Sequence, residues 1–570
     1  MADAPERTVP ERIVVVGGVA AGMSAAARAR RLSEDAEIIV LEKGPYVSFA
    51  NCGLPYFVGG EITDPASLLV QTPESLASSL RLDVRPEHEV VGLDPEAKTV
   101  TVRTADGESE IGYDALVLAP GAKAVVPPLP GIDSVRVRTL RTVDDALALR
   151  GSVDRGAKRA VVLGAGFIGL EAAEALNAAG LDVTVVELAP HVLPPLEAEL
   201  ATLIRKELER LGVKVRDGVG ATEIVPGPDF DTVVLHDGTR IEADTIVLSV
   251  GVRPATEVFE ASGVECERGA ILVDDHGRTS LPSVWAGGDA VVSRSAASKG
   301  LRPVSLAGPA NRTGRLIADS ILDPDKARKI PPATGTAVVR VGDLTAAVTG
   351  ANRAALDAAG RDYHVLNLHP NNHAGYFPGA TQIHLLVLFD PATGEILGAQ
   401  GVGKDGVERR IDVLATAMRG GLAVPDLIDL DLAYAPPYGS AKDPVNMVGM
   451  VGENVMDGVT DHWYAQDLPE ALEETLVLDV RSPAEYASGH LPGVPNVPHT
   501  ELRERMDEVR ELAAGRPVRV HCQSGVRSYL AERMLRANGF DVKNLSGGML
   551  TIREVIDAGL VPGVELVTEQ

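Results

Sequence analysis

A chain of 570 residues is too long for one hydrophobic core, and usual domain sizes predict roughly three to four domains. Acidic residues outnumber basic ones, 80 against 54, and a net charge of -26 repels nucleic acid and anionic membrane surfaces, so neither is expected as a partner. The three cysteines, Cys52, Cys266 and Cys522, are too few and too scattered for a disulfide framework or a closed zinc site; no metal is expected, and a reduced, cytoplasmic setting fits best.

The apolar stretch from Ile13 to Ala27 is broken by glycines, is too short for a membrane span and lacks the basic start of a signal peptide. RIVVVGG predicts a strand, the Ala-rich run to about Leu32 a helix, and AEIIVLEK a second strand, an order that implies a parallel, doubly wound sheet. Gly17, Gly18 and Gly22 fall at the first βα turn, where backbone must approach a pyrophosphate and the helix start supplies free N–H groups. Glu42 ends the second strand, placed to meet ribose hydroxyls. Val19 displaces the second glycine of the usual GxGxxG, so a turn kept only for packing is the competing reading here.

A second unit repeats the plan in KRAVVLGAGFIGLEAAEALNAAG and DVTVVEL. Gly164, Gly166 and Gly169 match the full fingerprint, and Glu187 closes the next strand. An acid there accepts from both ribose hydroxyls of NAD and repels the extra phosphate of NADP, which favours NADH over NADPH. DTIVLSVGVRP followed by LPSVWAGGDA reads as a return to the first domain. From about Thr336 the strands TAVVRVG, LTAAVTG, IHLLVLFD and ILGAQGVG, with the helix RRIDVLATAM, predict an α+β unit suited to an oligomer interface. A polar stretch around Asp457 to Ala465 then leads to a last short α/β unit, Leu468 to about Pro562.

Two nucleotide folds, with TSLPSVWAGGDA and LVLAPGA between their parts, resemble the pyridine-nucleotide disulfide oxidoreductases from about Arg12 to Met450. The resemblance implies FAD at Gly17, Gly18, Gly22, Glu42, Lys43, Gly121, Gly288 and Asp289, with Asp289 on the ribityl hydroxyls. It implies NADH at Gly164, Gly166, Gly169 and Glu187. The fold class expected is α/β: two Rossmann-like nucleotide-binding domains, an α+β dimerisation domain and a C-terminal rhodanese-like α/β domain. FAD binding is assigned to residues 1–150 and 256–330, NAD binding to 151–255, dimerisation to 331–456 and the rhodanese-like domain to 467–564.

Cys52 is followed by GLPYF, so Phe57 stands where dithiol members carry a partner thiol. SFANCGLPY is similar to the coenzyme A disulfide reductases and the related NADH-dependent persulfide reductases, which work through one thiol. NADH oxidases and peroxidases carry a histidine in the first turn, where GGVAAG places Ala20. The resemblance implies a homodimer in which Tyr376 of HAGYFPGA and Tyr434 of YAPPYGSAKDPVN reach the other subunit's Cys52 as donors to a departing thiolate. It also implies coenzyme A, as substrate or bound helper, on Arg28, Arg31, Ser48, Asn51 and Lys442. Arg28 and Arg31 lie one turn apart and share a helix face, for which a solvated basic helix end is the competing reading. Leu80 and Asn311 stand where some coenzyme A disulfide reductases carry a lysine and a histidine, so a shorter persulfide or polysulfide competes as substrate. A free thiol of pKa about 8.5 is mostly protonated at neutral pH, and it becomes a useful nucleophile when nearby positive charge or N–H groups stabilise the thiolate.

LVLDVRSPAEYASGHLPGVPNVPHTEL, VRVHCQSGVRSYLAERML and LSGGM resemble a single-domain rhodanese. Cys522 opens the loop CQSGVR and Arg527 closes it at a helix start, so several N–H groups converge on the sulfur. The residues between them form a ring suited to one sulfur atom, whereas a phosphatase of similar pattern needs a longer loop. Cys266, in GVECERGAI, reads as a bystander. Fusion of two sulfur sites raises the effective concentration of one at the other. The chain therefore reads as an FAD-dependent, NADH-using reductase of persulfide, polysulfide or coenzyme A disulfide, with Cys522 accepting sulfane sulfur and Cys52 reducing it. An NADH oxidase with an appendage and a redox-sensing binding protein are the alternatives.

Overall fold

The computed structural model describes residues 10–297 and 300–568. Two compact units form, one from the residues up to Leu188 with Gly212–Gly335, the other from Ala189–Leu211 with the chain after Thr336.

In the first unit, strand Arg12–Val16 is buried along four consecutive residues, as expected for a parallel strand covered on both faces. It is the centre of a five-stranded parallel sheet in the order Val284–Ala286, Ala115–Leu118, Arg12–Val16, Glu37–Leu41, Asp83–Arg85. Helices Ala20–Leu32 and Ala307–Leu322 cover one face, and their small residues let the backbones approach closely. The antiparallel strands Glu89–Asp94, Thr99–Thr104 and Gly107–Gly112 contribute to the core on the other face.

The second parallel sheet runs Lys214–Arg216, Asp182–Val186, Arg159–Leu163, Thr245–Leu248, Val137–Arg138. Thr245–Leu248 pairs with Arg159–Leu163 and so stays in this sheet, whereas Val284–Ala286 pairs with Ala115–Leu118. The return to the first domain is thus carried by LPSVWAGGDA and not by DTIVLSVGVRP; a short apolar strand has no local mark of which sheet it joins.

In the second unit, the four strands expected after Thr336 form as Ala337–Val341, Leu344–Gly350, Ile383–Phe389 and Ile396–Gly403. A fifth, His364–Leu368, was not expected; it pairs with Ile383–Phe389 at the sheet edge. Helix Val407–Gly420 packs on this sheet through Val407, Ile411 and Leu414. The C-terminal sheet is parallel, ordered His462–Trp463, Val542–Leu545, Val518–His521, Leu476–Asp479. The stretch Asp457 to Ala465, expected as a connection, therefore holds an edge strand, because Trp463 is buried in the C-terminal core despite its polar neighbours. Among the described residues no helix is long and apolar enough to cross a membrane.

Candidate active sites

The first Gly-rich turn runs too tightly for side chains. A Cβ on Gly17 would lie 2.0 Å from the Ala119 carbonyl oxygen, and one on Gly22 1.9 Å from that of Gly17. The Gly18 N–H donates to Glu42 Oε2 at 2.7 Å, tying the turn to the end of the second strand. Ser48, at φ 47°, donates its N–H to the Gly18 carbonyl at 2.8 Å, so the Cys52 segment starts against this turn. Gly121 and Gly288 both take positive φ, 70° and 74°, while Lys43 is exposed beside Glu42. Asp289 pairs with Arg141 at 2.9 Å, and Asn51 Nδ2 donates to the Arg141 carbonyl at 3.4 Å. The structure thus gathers Gly18, Glu42, Ser48, Asn51 and Asp289, and adds Arg141, which no spacing in the sequence pointed to.

The second turn repeats this geometry. Cβ atoms on Gly164 and Gly169 would come within 2.3 and 2.0 Å of backbone oxygens, whereas one on Gly166 meets nothing within 4 Å. Glu187 Oε2 accepts from the Ala165 N–H at 2.6 Å. A turn with no room for a side chain at its first and last glycines, and with open space at the middle one, fits the close approach of a dinucleotide pyrophosphate.

Cys52 lies on the 3-10 turn Asn51–Gly53, exposed, with Phe57 buried in the helix that follows. Partial burial, then the charges of Glu171 and Asp289, push its thiol above the ordinary range. Arg141, whose carbonyl accepts from Asn51 beside Cys52, has its guanidinium paired with Asp289. A thiol of high pKa is a strong nucleophile once deprotonated, which suits attack on sulfur. Replacing Glu171 by Gln removes one opposing charge, so a larger thiolate fraction is expected at neutral pH. Alkylation of Cys52 by iodoacetamide, followed by peptide mass spectrometry between pH 6.5 and 10, should be severalfold faster at pH 7.5 in Glu171→Gln, with its midpoint moved to lower pH.

The two arginines expected at the substrate divide. Arg28 is half-buried, with its Nε 2.6 Å from Asp319 Oδ1, while Arg31 is exposed. Arg30, between them, is buried on the carbonyls of Leu80, Ser33, Glu34 and Arg81 and holds the helix end. Asn311 accepts from the Ser24 hydroxyl at 2.6 Å. Cys266 is half-buried against the core, its thiol pushed up by burial and then by Glu260.

In the second unit, the hydroxyls of Tyr376 and Tyr434 are 3.0 Å apart, and both side chains are exposed together with Phe377 and Tyr438. The hydrogen bond to Tyr434 raises the Tyr376 phenol above its ordinary range. Lys442 is exposed just before Asp443, which caps helix Pro444–Met456.

Cys522 follows strand Val518–His521 and is buried, 1% exposed, at the foot of helix Val526–Ala537. Ser528 Oγ donates to its sulfur at 3.3 Å, and the Met549 N–H donates to its carbonyl at 2.8 Å. A Cβ on Gly548 would lie 2.6 Å from that carbonyl, so LSGGM closes on the loop where only glycine fits. Arg527 does close the loop, but its guanidinium is bound at both ends to Glu485, at 2.7 and 2.6 Å. The capping-box pattern of SPAEY was the only local sign of Glu485.

Arg527 holds the Glu485 carboxyl down at about 2, from an ordinary 4.5. A depressed carboxyl contributes stability above its unfolded pKa and loses it as pH falls through the folded one. Glu485→Gln should therefore be less stable than the parent at pH 7 by about 1 kcal/mol, a value discounted for partial exposure. The difference should shrink between pH 5 and pH 2, measured by denaturant unfolding monitored at the C-terminal tryptophan, Trp463.

Residues 11–309 match the pyridine nucleotide-disulphide oxidoreductase family. The chain belongs to that family. Within this oxidoreductase, residues 336–444 match the family's dimerisation domain and residues 463–554 a rhodanese-like domain. A coenzyme A disulfide reductase of Staphylococcus haemolyticus is 37% identical over 442 residues, covering 77% of this chain and 98% of that one. Among solved structures, reduced CoADR-RHD of Bacillus anthracis has a TM-score of 0.94 at 40% identity, covering 96% of this chain and 99% of that one. A NAD-dependent persulfide reductase from A. fulgidus has a TM-score of 0.88 at 38% identity, covering 95% and 99%. Both structural relatives thus extend over the rhodanese-like domain of this oxidoreductase.

Proposed function

We propose that this oxidoreductase is an FAD-dependent, NADH-using reductase of persulfides, polysulfides or coenzyme A disulfide, acting as a homodimer in the cytoplasm. The observation that carries the reading is a single exposed thiol, Cys52, with Phe57 in place of a second one, in a chain that also buries Cys522 in a rhodanese loop. The relatives named for coenzyme A disulfide and persulfide reduction support the same substrates.

FAD, when bound, supplies a two-electron path from the nicotinamide to sulfur. For that cofactor, Gly17, Gly18 and Gly22 would bring backbone to the pyrophosphate, Glu42 and Lys43 would hold the adenosine end, and Gly121, Gly288 and Asp289 would hold the ribityl end. Gly164, Gly166, Gly169 and Glu187 take NADH. Cys52 Sγ attacks one sulfur of the substrate S–S bond, which breaks as the other half leaves as a thiolate; two electrons then cleave the resulting Cys52 mixed disulfide or persulfide, returning the Cys52 thiolate and releasing the thiol or sulfide. The paired, exposed Tyr376 and Tyr434 donate a proton to the departing thiolate across the dimer. Ser48 and Asn51 flank Cys52 on the substrate side. Arg28, Arg31 and Lys442 offer charges to coenzyme A phosphates, Arg28 only after leaving Asp319.

Cys522 accepts sulfane sulfur, with Ser528 and Arg527 around it, and delivers it for reduction. Anaerobic NADH oxidation by the FAD-loaded protein, offered coenzyme A disulfide, coenzyme A persulfide and polysulfide in parallel with sulfide recorded, tests the substrate. Sulfide from persulfide or polysulfide is the expected result; NADH loss that needs oxygen and ignores all three sulfur compounds overturns the reading. Cys522→Ala should slow turnover of polysulfide and glutathione persulfide at least about tenfold, because effective concentration is lost, and should leave coenzyme A disulfide reduction intact. Unchanged persulfide turnover would refute the coupling alone.

A further inference from the structure

Three side chains outside both sulfur sites converge where the last helix of the rhodanese-like domain meets the antiparallel sheet. His369 follows strand His364–Leu368, His384 lies on Ile383–Phe389, and Glu554 on helix Gly548–Asp557. The two Nδ1 atoms are 3.1 Å apart; Glu554 Oε1 touches His384 Nδ1 and lies 3.9 Å from His369 Nδ1. His369 and Glu554 are buried, and His384 is partly so.

Two ring nitrogens at hydrogen-bond distance cannot both carry a proton toward each other, and the carboxylate adds a further lone pair. Three acceptor atoms therefore face one point with at most one proton between the rings. His369 Nε2 is 2.8 Å from Thr551 Oγ1; in the tautomer whose Nε2–H donates to that hydroxyl, the Nδ1 lone pair faces inward.

Bonds of about 2.0–2.2 Å from zinc to nitrogen and oxygen place two ligands of one ion no more than about 4.2 Å apart. The separations of 3.1 and 3.9 Å fall inside that span. His384 also lines a cavity of about 260 Å³ with Leu203, Leu344, Gln382 and Lys404, room enough for water.

We propose that His369 Nδ1, His384 Nδ1 and Glu554 Oε1 bind one divalent transition-metal ion of the Zn²⁺ type, fastening this helix to the sheet. Imidazole and carboxylate donors suit such ions, and the donor set stays independent of the redox thiols. The same helix begins at Gly548, whose backbone closes on Cys522, so the ion anchors the element that shapes the sulfur loop.

The test uses the full chain with Cys52→Ser, Cys266→Ser and Cys522→Ala, so that no thiol binds metal, stripped with chelator and then titrated with ZnCl₂. One zinc per chain retained on dialysis, with a raised melting temperature, is expected by elemental analysis and thermal unfolding. His384→Asn and Glu554→Gln should each weaken retention at least about a hundredfold. Thr551→Val, which leaves all three ligands in place, should cost about tenfold through the lost outer hydrogen bond, and keeps the test open if a ligand variant fails to fold. No zinc on the parent, or equal retention by Glu554→Gln and Thr551→Val, overturns the proposal.

Discussion

Replacing Cys52 by Ser is expected to lower NADH-dependent reduction of persulfide and coenzyme A disulfide by at least about a thousandfold, as loss of an essential nucleophile does. Serine is close in size, so the turn Asn51–Gly53 and the buried Phe57 behind it keep their places. What is lost is the bond: an alcohol oxygen forms no stable link to the substrate sulfur. Phe57 offers no second thiol to take over, and Cys266 is half-buried in the core. FAD content and NADH affinity should match the parent, since neither nucleotide turn involves Cys52. Sulfur transfer at Cys522 should also persist. Stopped-flow reduction by NADH, followed by steady-state turnover on each sulfur substrate, separates these effects. Turnover within about tenfold of the parent would remove Cys52 from the chemistry.

The second large effect is expected from Gly22→Val. A Cβ at this position meets the Gly17 carbonyl oxygen at 1.9 Å, its carbon at 3.1 Å and Val15 Cγ1 at 3.1 Å. The two Gly17 atoms are backbone of the turn and cannot yield as a flexible side chain would, and the third belongs to the stiff, buried Val15 of the central strand. Overpacking a tight site usually costs about 1–3 kcal/mol, and a collision with backbone in the pyrophosphate turn opens the site itself. The purified variant should hold less than about a tenth of the parent's FAD, read from the visible spectrum against protein concentration. Sulfur transfer by Cys522 should survive, because its domain has its own core. Gly166→Ala is the control: its Cβ meets nothing within 4 Å, so FAD should remain full while the KM for NADH rises. Full flavin loading of Gly22→Val would contradict the tight-turn account.

Much of this architecture is legible without coordinates. The apolar strands followed by glycines and closed by Glu42 or Glu187 foretell both nucleotide folds, because each feature is set by neighbours a few residues away. The Cys522 loop, with Arg527 at the helix start, is equally local. The strand His364–Leu368 escaped because its pattern is short and its partner strand lies fifteen or more residues on. Trp463 escaped because one buried ring sits in a polar run and is drawn in only by the finished core.

Electrostatic surroundings were the part that the chain by itself did not disclose. Glu171 and Asp289 bear on Cys52, Asp319 holds Arg28, and Glu485 holds Arg527 from 42 residues away. His384 and Glu554 meet across 170 residues. Sequence alone determined most of the elements, the two tight glycine turns and the loop that holds Cys522, since backbone geometry answers to short-range spacing. Only the tertiary structure decided which charges face each sulfur and which lone pairs share a point. Coulomb interactions and hydrogen bonds depend on distance through space, and folding sets that distance independently of separation along the chain.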